Sequence, residues 1–246
     1  SNFTDFELLE SNPIVNLIYV TSREDLTNSD MVVLPGTKNT IGDLEWLREV
    51  GLDMAIRNLH ALGTPILGIC GGYQMLGKTI RDEKGIEAGS TRQANGLGLL
   101  DINTSFDVYE KVTELVTALP IGVGPILENA RAAELSGYEI HMGKTELGSG
   151  AKPAFKIVKR RGSLVSELDG AVNETGLVFG TYLHGIFDKP ALRESLVKYL
   201  ASRKGLQPNL TRVSIEDEWS RSLSQIVKAV EENLDVKSMF GLVGLK

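Results

Sequence analysis

Short apolar runs rich in β-branched residues alternate along this chain with segments whose apolar residues recur at helical spacing. Such runs are typical of buried strands, and a spacing of three and four residues is typical of helices that cover a sheet. The pattern predicts strands at Ile14–Val20, Met31–Leu34, Ile66–Ile69, Leu97–Thr104, Tyr138–Met142, Ala154–Val158 and Leu177–Leu183.

Helical patterns separate and follow these runs. One begins near Asp43, another begins near Tyr73, and a third follows Asp188 with Pro190 in its first turn. The Ile215–Leu234 segment has the clearest apolar stripe of the chain. Strands alternating with helices predict an α/β fold of the flavodoxin-like, doubly wound type, with a mostly parallel sheet and helices on both faces.

Composition and charge exclude several classes of protein. The 246 residues carry 26 basic and 32 acidic side chains, a net charge of −6, so nucleic acid is not an expected partner. No apolar stretch approaches the roughly 20 residues needed to span a bilayer, so a membrane is not an expected partner either. The N-terminus lacks the basic and apolar regions of a signal peptide, and a single cysteine fits the reducing cytoplasm. Three histidines and one cysteine leave little material for a metal site.

The cysteine is the most informative residue. Cys70 lies in the sequence Gly-Ile-Cys-Gly-Gly, directly after the apolar run Ile66–Ile69 and before a helical pattern. Glycines on both sides tolerate the strained backbone of a tight strand-to-helix turn, which predicts a nucleophile elbow carrying a thiol. A free cysteine is often only a small core residue, but the flanking glycines favour the elbow.

A thiol nucleophile needs a base within reach, and the chain offers three histidines. His184 ends the Leu177–Leu183 strand, so it is expected at the same edge of the sheet as Cys70. His141 lies inside a strand on the same face as Glu139, and His60 lies near the end of a helix.

The Gly72–Thr79 segment fits the phosphate-loop pattern G-x-x-x-x-G-K-[ST]. That motif needs a loop between a strand and a helix, whereas here the turn already falls at Cys70. Gly77 and Lys78 instead indicate the end of a helix, so no phosphate site is expected.

Four segments together resemble class I glutamine amidotransferases, and within that class the C-terminal glutaminase domain of cobyric acid synthases. The likeness extends from Ser1 to about Leu200, and the segments follow one another in the same order as in that family. They are Val33–Thr40, Gly68–Gln74, Gly137–Gly143 and Gly180–Gly185.

The resemblance implies a role for each matching residue. Cys70 would attack the side-chain carbonyl of glutamine, and His184 would accept and return protons. The N–H of Gly71 and an N–H from the loop around Gly36 would stabilise the oxyanion. Gln74 would hold the polar end of the substrate, and His141 would line the glutamine pocket.

The sequence departs from the wider class at one position. Most class I glutaminases carry a glutamate two residues after the histidine, where this chain has Ile186. A Cys–His dyad is therefore expected, and the group that orients His184 stays open between Glu139, Asp188, water and backbone. None of the matching segments belongs to the family's synthetase half, so we expect the chain to be a fragment or to work with a separate polypeptide.

The resemblance also implies partners and domains. The partners are L-glutamine and an ATP-dependent synthetase domain or subunit that acts on a corrinoid. No cofactor is expected in this chain, because ATP and magnesium would bind the synthetase. Residues 1–204 would form the amidotransferase domain, and residues 205–246 a helical extension packed on it.

Two other functions remain open at this point. The same elbow serves thiol hydrolases and peptidases, and an amidotransferase-like fold without turnover would be a docking module.

Overall fold

The computed structural model describes residues 3–87, 89–107, 112–207 and 215–234. Within them, the strands in chain order are β1 Val32–Leu34, β2 Ile66–Ile69, β3 Thr79–Asp82, β4 Arg92–Asn95, β5 Ile102–Ser105, β6 Val112–Pro120, β7 Leu135–His141, β8 Lys144–Leu147, β9 Ala151–Lys152, β10 Phe155–Arg160, β11 Ser163–Asp169, β12 Ala171–Asn173, β13 Val178–Thr181 and β14 Leu183–His184.

Some of the helices begin at a capping side chain or a proline. The Asn39 side chain accepts a hydrogen bond from the Gly42 N–H (3.2 Å) at the start of one helix, and Pro190 occupies the first turn of another. A 3-10 turn covers Phe3–Phe6. The helices are α1 Glu7–Glu10, α2 Thr40–Glu49, α3 Leu52–Ala61, α4 Gly71–Met75, α5 Pro125–Asn129, α6 Pro190–Arg203 and α7 Ile215–Asn233.

The elbow strand β2 lies at the centre of a parallel arrangement. Strands β1 and β13 pair with it in parallel on either side, and β12 and β9 extend this sheet in antiparallel orientation. Because parallel strands end at the same edge, Cys70 after β2 and the segment after β13 meet there.

Helices cover both faces of this sheet, as predicted. Ile66 packs in one apolar cluster with Leu44 of α2, whereas the next residue, Leu67, packs in a second cluster with Leu192 of α6. Successive residues of a strand point to opposite faces, which explains the alternation. The α/β class is confirmed.

Two further sheets were not foreseen. Strands β11, β10, β6, β7 and β14 form one of them in that order with antiparallel pairing, and β4, β3, β5 and β8 form the other. The chain crosses from the first sheet to the second at Tyr182, between β13 and β14. The buried Asp169 carboxylate accepts hydrogen bonds from the Thr181 hydroxyl and the Tyr182 N–H there.

One predicted strand is wrong. Residues 14–20 form no strand, and Ile14 and Ile18 expose 53% and 59% of their surface. The apolar residues occur there, but no strand within the described residues pairs with this segment.

The polar stretch at 81–96 contains a strand that the apolar pattern of the sequence does not predict. Within it β4 pairs with β3, and Ala94 of β4 is buried opposite Ile80. The neighbouring residues of β4 face solvent, which explains why the stretch looks polar.

The phosphate-loop pattern does not form such a loop. Its helix, α4, ends at Met75, and its Lys78 ammonium pairs with Asp101 at 2.5 Å. A Cβ at Gly72 would lie 2.0 Å from the Leu34 carbonyl oxygen, so this glycine is required for packing.

The chain divides into two compact units, residues 1–210 and 211–246. In the second unit the predicted helix is confirmed as α7. The side chains of Ile215 and Trp219, which belong to the predicted stripe, lie outside the described residues, as do residues 208–214 and 235–246. An amidotransferase domain over 1–204 and a packed extension over 205–246 stay predictions.

Candidate active site

Cys70 occupies a strained turn between β2 and α4. Its backbone has φ 52° and ψ −113°, a region that residues with a side chain rarely adopt. Gly68 permits this turn, because a Cβ there would lie 2.6 Å from the Tyr73 backbone. The predicted elbow is therefore present, and it projects the thiol from the end of the strand.

Hydrogen bonds fix the elbow to its surroundings. The Cys70 N–H donates to the Thr181 carbonyl of the neighbouring strand at 2.8 Å. The thiol donates to the Ile140 carbonyl at 3.3 Å, and the cysteine is partly exposed. The sulfur is therefore accessible at the edge of the sheet.

His184 lies against the elbow, as the sequence predicted. It is buried, with 6% of its surface exposed, and its imidazole lies beside the Cys70 side chain. A Cβ at Gly36 would lie 3.2 Å from His184 Cε1 and 3.5 Å from Cys70 Cβ. The structure therefore brings Cys70, His184 and Gly36 together.

Asp5 supplies the partner of His184 that the sequence left open. Its Oδ2 lies 2.7 Å from His184 Nδ1, and its Oδ1 accepts a hydrogen bond from the Gly185 N–H at 2.8 Å. Since Nδ1 is engaged, Nε2 is the nitrogen left for Cys70. Glu139, one of the candidates, instead contacts His141 and Arg160.

Asp5 belongs to the 3-10 turn at the start of the chain and is itself buried. Phe6 and Leu9 anchor this segment in the apolar cluster beneath α6. Asp5 and His184 are far apart in sequence, and no motif surrounds Asp5. The one sequence signal that could have indicated Asp5 is its position as an acidic residue beside Phe6 and Leu9, which have helical spacing.

The surroundings of His184 favour its protonated form. Burial alone would lower the pKa, but the hydrogen bonds to Asp5 and Cys70 and the charge of Asp5 raise it to about 9. Cysteine is nucleophilic as the thiolate, so the site suits covalent catalysis.

The raised pKa of His184 predicts how stability depends on pH. The ordinary value is 6.5, so the folded protein gains about 3 kcal/mol below pH 6.5, and this gain is lost as the pH rises through about 9. Urea unfolding between pH 6.5 and 9 measures it, and His184→Gln should flatten the profile. An equally steep fall in that variant would contradict the assignment.

The titration of Asp169 does not affect the change in stability expected between pH 6.5 and about 9. Burial raises its pKa from 3.8 to about 6. A raised carboxyl pKa makes stability fall between about pH 3.8 and 6 and leaves it level above that.

Gly71 opens α4 beside the Gly36 loop. A Cβ on Gly71 would lie 2.4 Å from Thr37 Cγ2 and 3.2 Å from the Thr37 nitrogen. As the first residue of a helix, Gly71 has no intrahelical acceptor for its N–H. The predicted oxyanion residues Gly36 and Gly71 are therefore neighbours of Cys70.

Gln74 is buried below the elbow with its amide fully engaged. Its Nε2 donates to the Met142 carbonyl (3.0 Å) and the Tyr182 hydroxyl (3.1 Å), and its Oε1 accepts from the Thr40 hydroxyl (3.1 Å). The Thr40 hydroxyl also lies 2.6 Å from Glu87 Oε1. Gln74 must exchange one of these partners before it can bind a ligand.

His141 lies apart from the thiol. Its ring stacks on Tyr182 at 3.8 Å, Nε2 lies 2.9 Å from Glu139 Oε1, and Nδ1 lies 3.2 Å from the Gly143 carbonyl. His141 and Tyr182 line a cavity of about 790 Å³ in which Cys70 takes no part. The predicted contact of His141 with glutamine stays a prediction.

No group of three or more His, Cys, Asp or Glu side chains within the described residues is arranged to hold a metal ion. No described helix is long and apolar enough to cross a membrane.

Solved structures share this fold at low sequence identity. The structure of PurLQS from Thermotoga maritima matches with a TM-score of 0.59 and 20% identity, over 81% of this chain and 94% of that one. A crystal structure of a glutamine amidotransferase matches with a TM-score of 0.52 and 19% identity, over 83% and 92%. These matches show that the chain shares the fold of that glutamine amidotransferase.

Curated relatives show the family to which the chain belongs. The cobyric acid synthase of Moorella thermoacetica is 46% identical over 100% of this chain and 47% of its own length, and that of Alkaliphilus metalliredigens is 45% identical over 99% and 48%. The chain belongs to the family of CobB/CobQ-like glutamine amidotransferase domains, whose family model matches residues 1–192. It spans about half the length of these relatives.

Proposed function

We propose that this chain hydrolyses L-glutamine and supplies the ammonia to an ATP-dependent synthetase that amidates the side-chain carboxylates of a corrinoid. The observation that carries the proposal is the arrangement of Cys70, His184 and Asp5, in which the His184 ring lies beside Cys70 and its Nδ1 is hydrogen-bonded to Asp5. Family membership supports the use of glutamine, and the names of the relatives support cobyric acid synthesis.

The reaction would start at the thiolate. Cys70 attacks the carboxamide carbon of glutamine, and the carbonyl oxygen becomes an oxyanion held by the Gly71 N–H and an N–H of the Gly36 loop. The His184 imidazolium gives its proton to the departing nitrogen, ammonia leaves, and a glutamyl thioester remains. Water activated by His184 then releases glutamate and the thiol.

Asp5 would act as a positioning residue. Its carboxylate binds Nδ1, which holds the ring so that Nε2 faces the sulfur, and its charge stabilises the imidazolium. With Asp5 the proposed catalytic residues would form a triad, whereas the sequence predicted a Cys–His dyad.

Gln74 and His141 would bind the substrate. We expect the Gln74 amide to exchange its Met142 contact for the polar end of glutamine, and His141 to line the pocket. Glu87 contacts Gln74 through Thr40 and offers a carboxylate to the substrate ammonium. Burial raises the pKa of Glu87, and a bound ammonium would lower it again.

The synthetase would be the half of the relatives that this chain does not span, present as a further domain or a separate subunit. ATP and magnesium would bind there, this chain would carry no cofactor or metal, and the reaction would take place in the cytoplasm.

An electrophilic glutamine analogue tests the proposal. Cys70 is the sole cysteine, so the mass of the intact protein reports its labelling. We expect one equivalent of label, protection by glutamine, and ammonia release from glutamine by the unlabelled protein. Labelling by a peptide electrophile alone would indicate a thiol hydrolase, and no labelling by either would indicate a docking module.

A further inference from the structure

Tyr138 lies directly beside the catalytic imidazole. It is the cross-strand partner of His184 in the pairing of β7 with β14. The two rings stack with their centroids 5.2 Å apart and their planes 9° from parallel. Offset stacking of this kind is a favourable aromatic geometry.

The other sides of the imidazole are also occupied. The Gly36 backbone approaches Cε1, and Asp5 engages Nδ1 at the ring edge. The Tyr138 hydroxyl is hydrogen-bonded to the Thr4 side chain, next to Asp5 in the sequence. The 3-10 turn therefore holds His184 twice, once directly and once through Tyr138.

We propose that Tyr138 is a positioning residue that fixes the plane of the His184 ring and stabilises its protonated form. The inference rests on the proposed function, because it concerns the base of that reaction. A cation within about 6 Å of an aromatic face is attracted by the negative charge of that face. A fixed ring plane also keeps Nε2 directed at the sulfur.

Other charged groups around the imidazole act in the same direction. Asp5 of the 3-10 turn and Cys70 of the elbow both raise the pKa of His184. Asp188 lies against Gly185, and burial together with Asp5 raises the pKa of Tyr138, so the phenol is neutral at working pH. Tyr138 therefore acts through its ring face rather than through a charge.

Substitutions at position 138 separate the ring from the hydroxyl. Tyr138→Phe keeps the stack and loses the Thr4 contact, whereas Tyr138→Leu removes the ring. In Tyr138→Leu we expect the pKa of His184 to fall by about one unit and kcat to fall about tenfold, with KM changed less than about twofold. In Tyr138→Phe the pKa of His184 and kcat should change by no more than about a third as much as they do in Tyr138→Leu.

NMR of labelled histidine measures the pKa without relying on turnover. The chain has three histidines, and the spectrum of His184→Ala assigns the relevant signal. If His184 of the unaltered protein titrates near pH 6.5, the proposed function is contradicted, whatever the effect of the substitutions at Tyr138. If it titrates high and Tyr138→Leu leaves it there, the positioning role is overturned.

A fluorinated ring keeps the test decisive if Tyr138→Leu does not fold. The chain with 3,4,5-trifluorophenylalanine at position 138 retains the shape of the Phe variant, but its ring face is electron-poor. A lower pKa of His184 than in Tyr138→Phe supports the inference, and an equal value contradicts it.

Discussion

Replacing Cys70 by alanine should lower glutamine hydrolysis by about 10³-fold or more, because no other group can form the thioester. Cys70→Ser should also be slow, since a hydroxyl beside His184 ionises far less readily than a thiol. Ammonia release in a coupled assay gives kcat, and calorimetry shows whether glutamine still binds.

Both variants should fold like the parent, because the strained backbone of the elbow is kept. Hydrolysis by Cys70→Ser at the rate of the parent protein would refute the thioester mechanism.

Replacing Asp5 by asparagine should lower kcat by about 10²-fold. An amide carries no charge, and its single oxygen cannot serve both His184 Nδ1 and the Gly185 N–H, which Asp5 contacts at 2.7 and 2.8 Å. The pKa of His184 should fall toward its ordinary value, and the rate should become more sensitive to pH. Rate profiles between pH 6 and 9 measure both effects.

Asp25→Asn is the matched control, because this exposed carboxylate lies in the same part of the chain and accepts a hydrogen bond from the Ser22 hydroxyl. It should leave the profile unchanged. If Asp5→Asn hydrolyses glutamine as fast as Asp25→Asn, the proposed role of Asp5 in positioning His184 is contradicted.

The elbow could be predicted from the sequence because its causes are local. A buried strand, a cysteine between glycines and a helix follow within ten residues, and the close packing of Gly68 and Gly72 explains why no other residue fits. His184 could be placed near Cys70 because both follow neighbouring parallel strands. That prediction needed only the order and direction of the strands.

Asp5 could not be predicted because its contact depends on tertiary packing. Nothing in the local sequence shows that a short turn at the start of the chain would reach the histidine. The two further sheets escaped prediction for a similar reason, since pairing partners and register are not encoded in single strands. Residues 14–20 illustrate the opposite error, because strand-forming residues make no strand without a neighbour.

The link between Cys70 and β13 has a kinetic consequence. The Cys70 N–H is bonded to the Thr181 carbonyl, three residues before His184, so the backbone ladder itself sets the separation of sulfur and imidazole. The entropy of bringing the two groups together is therefore lost once, when the sheet forms, and not again in each turnover. Changes in peripheral loops should alter access to the site long before they alter the alignment of its reacting atoms.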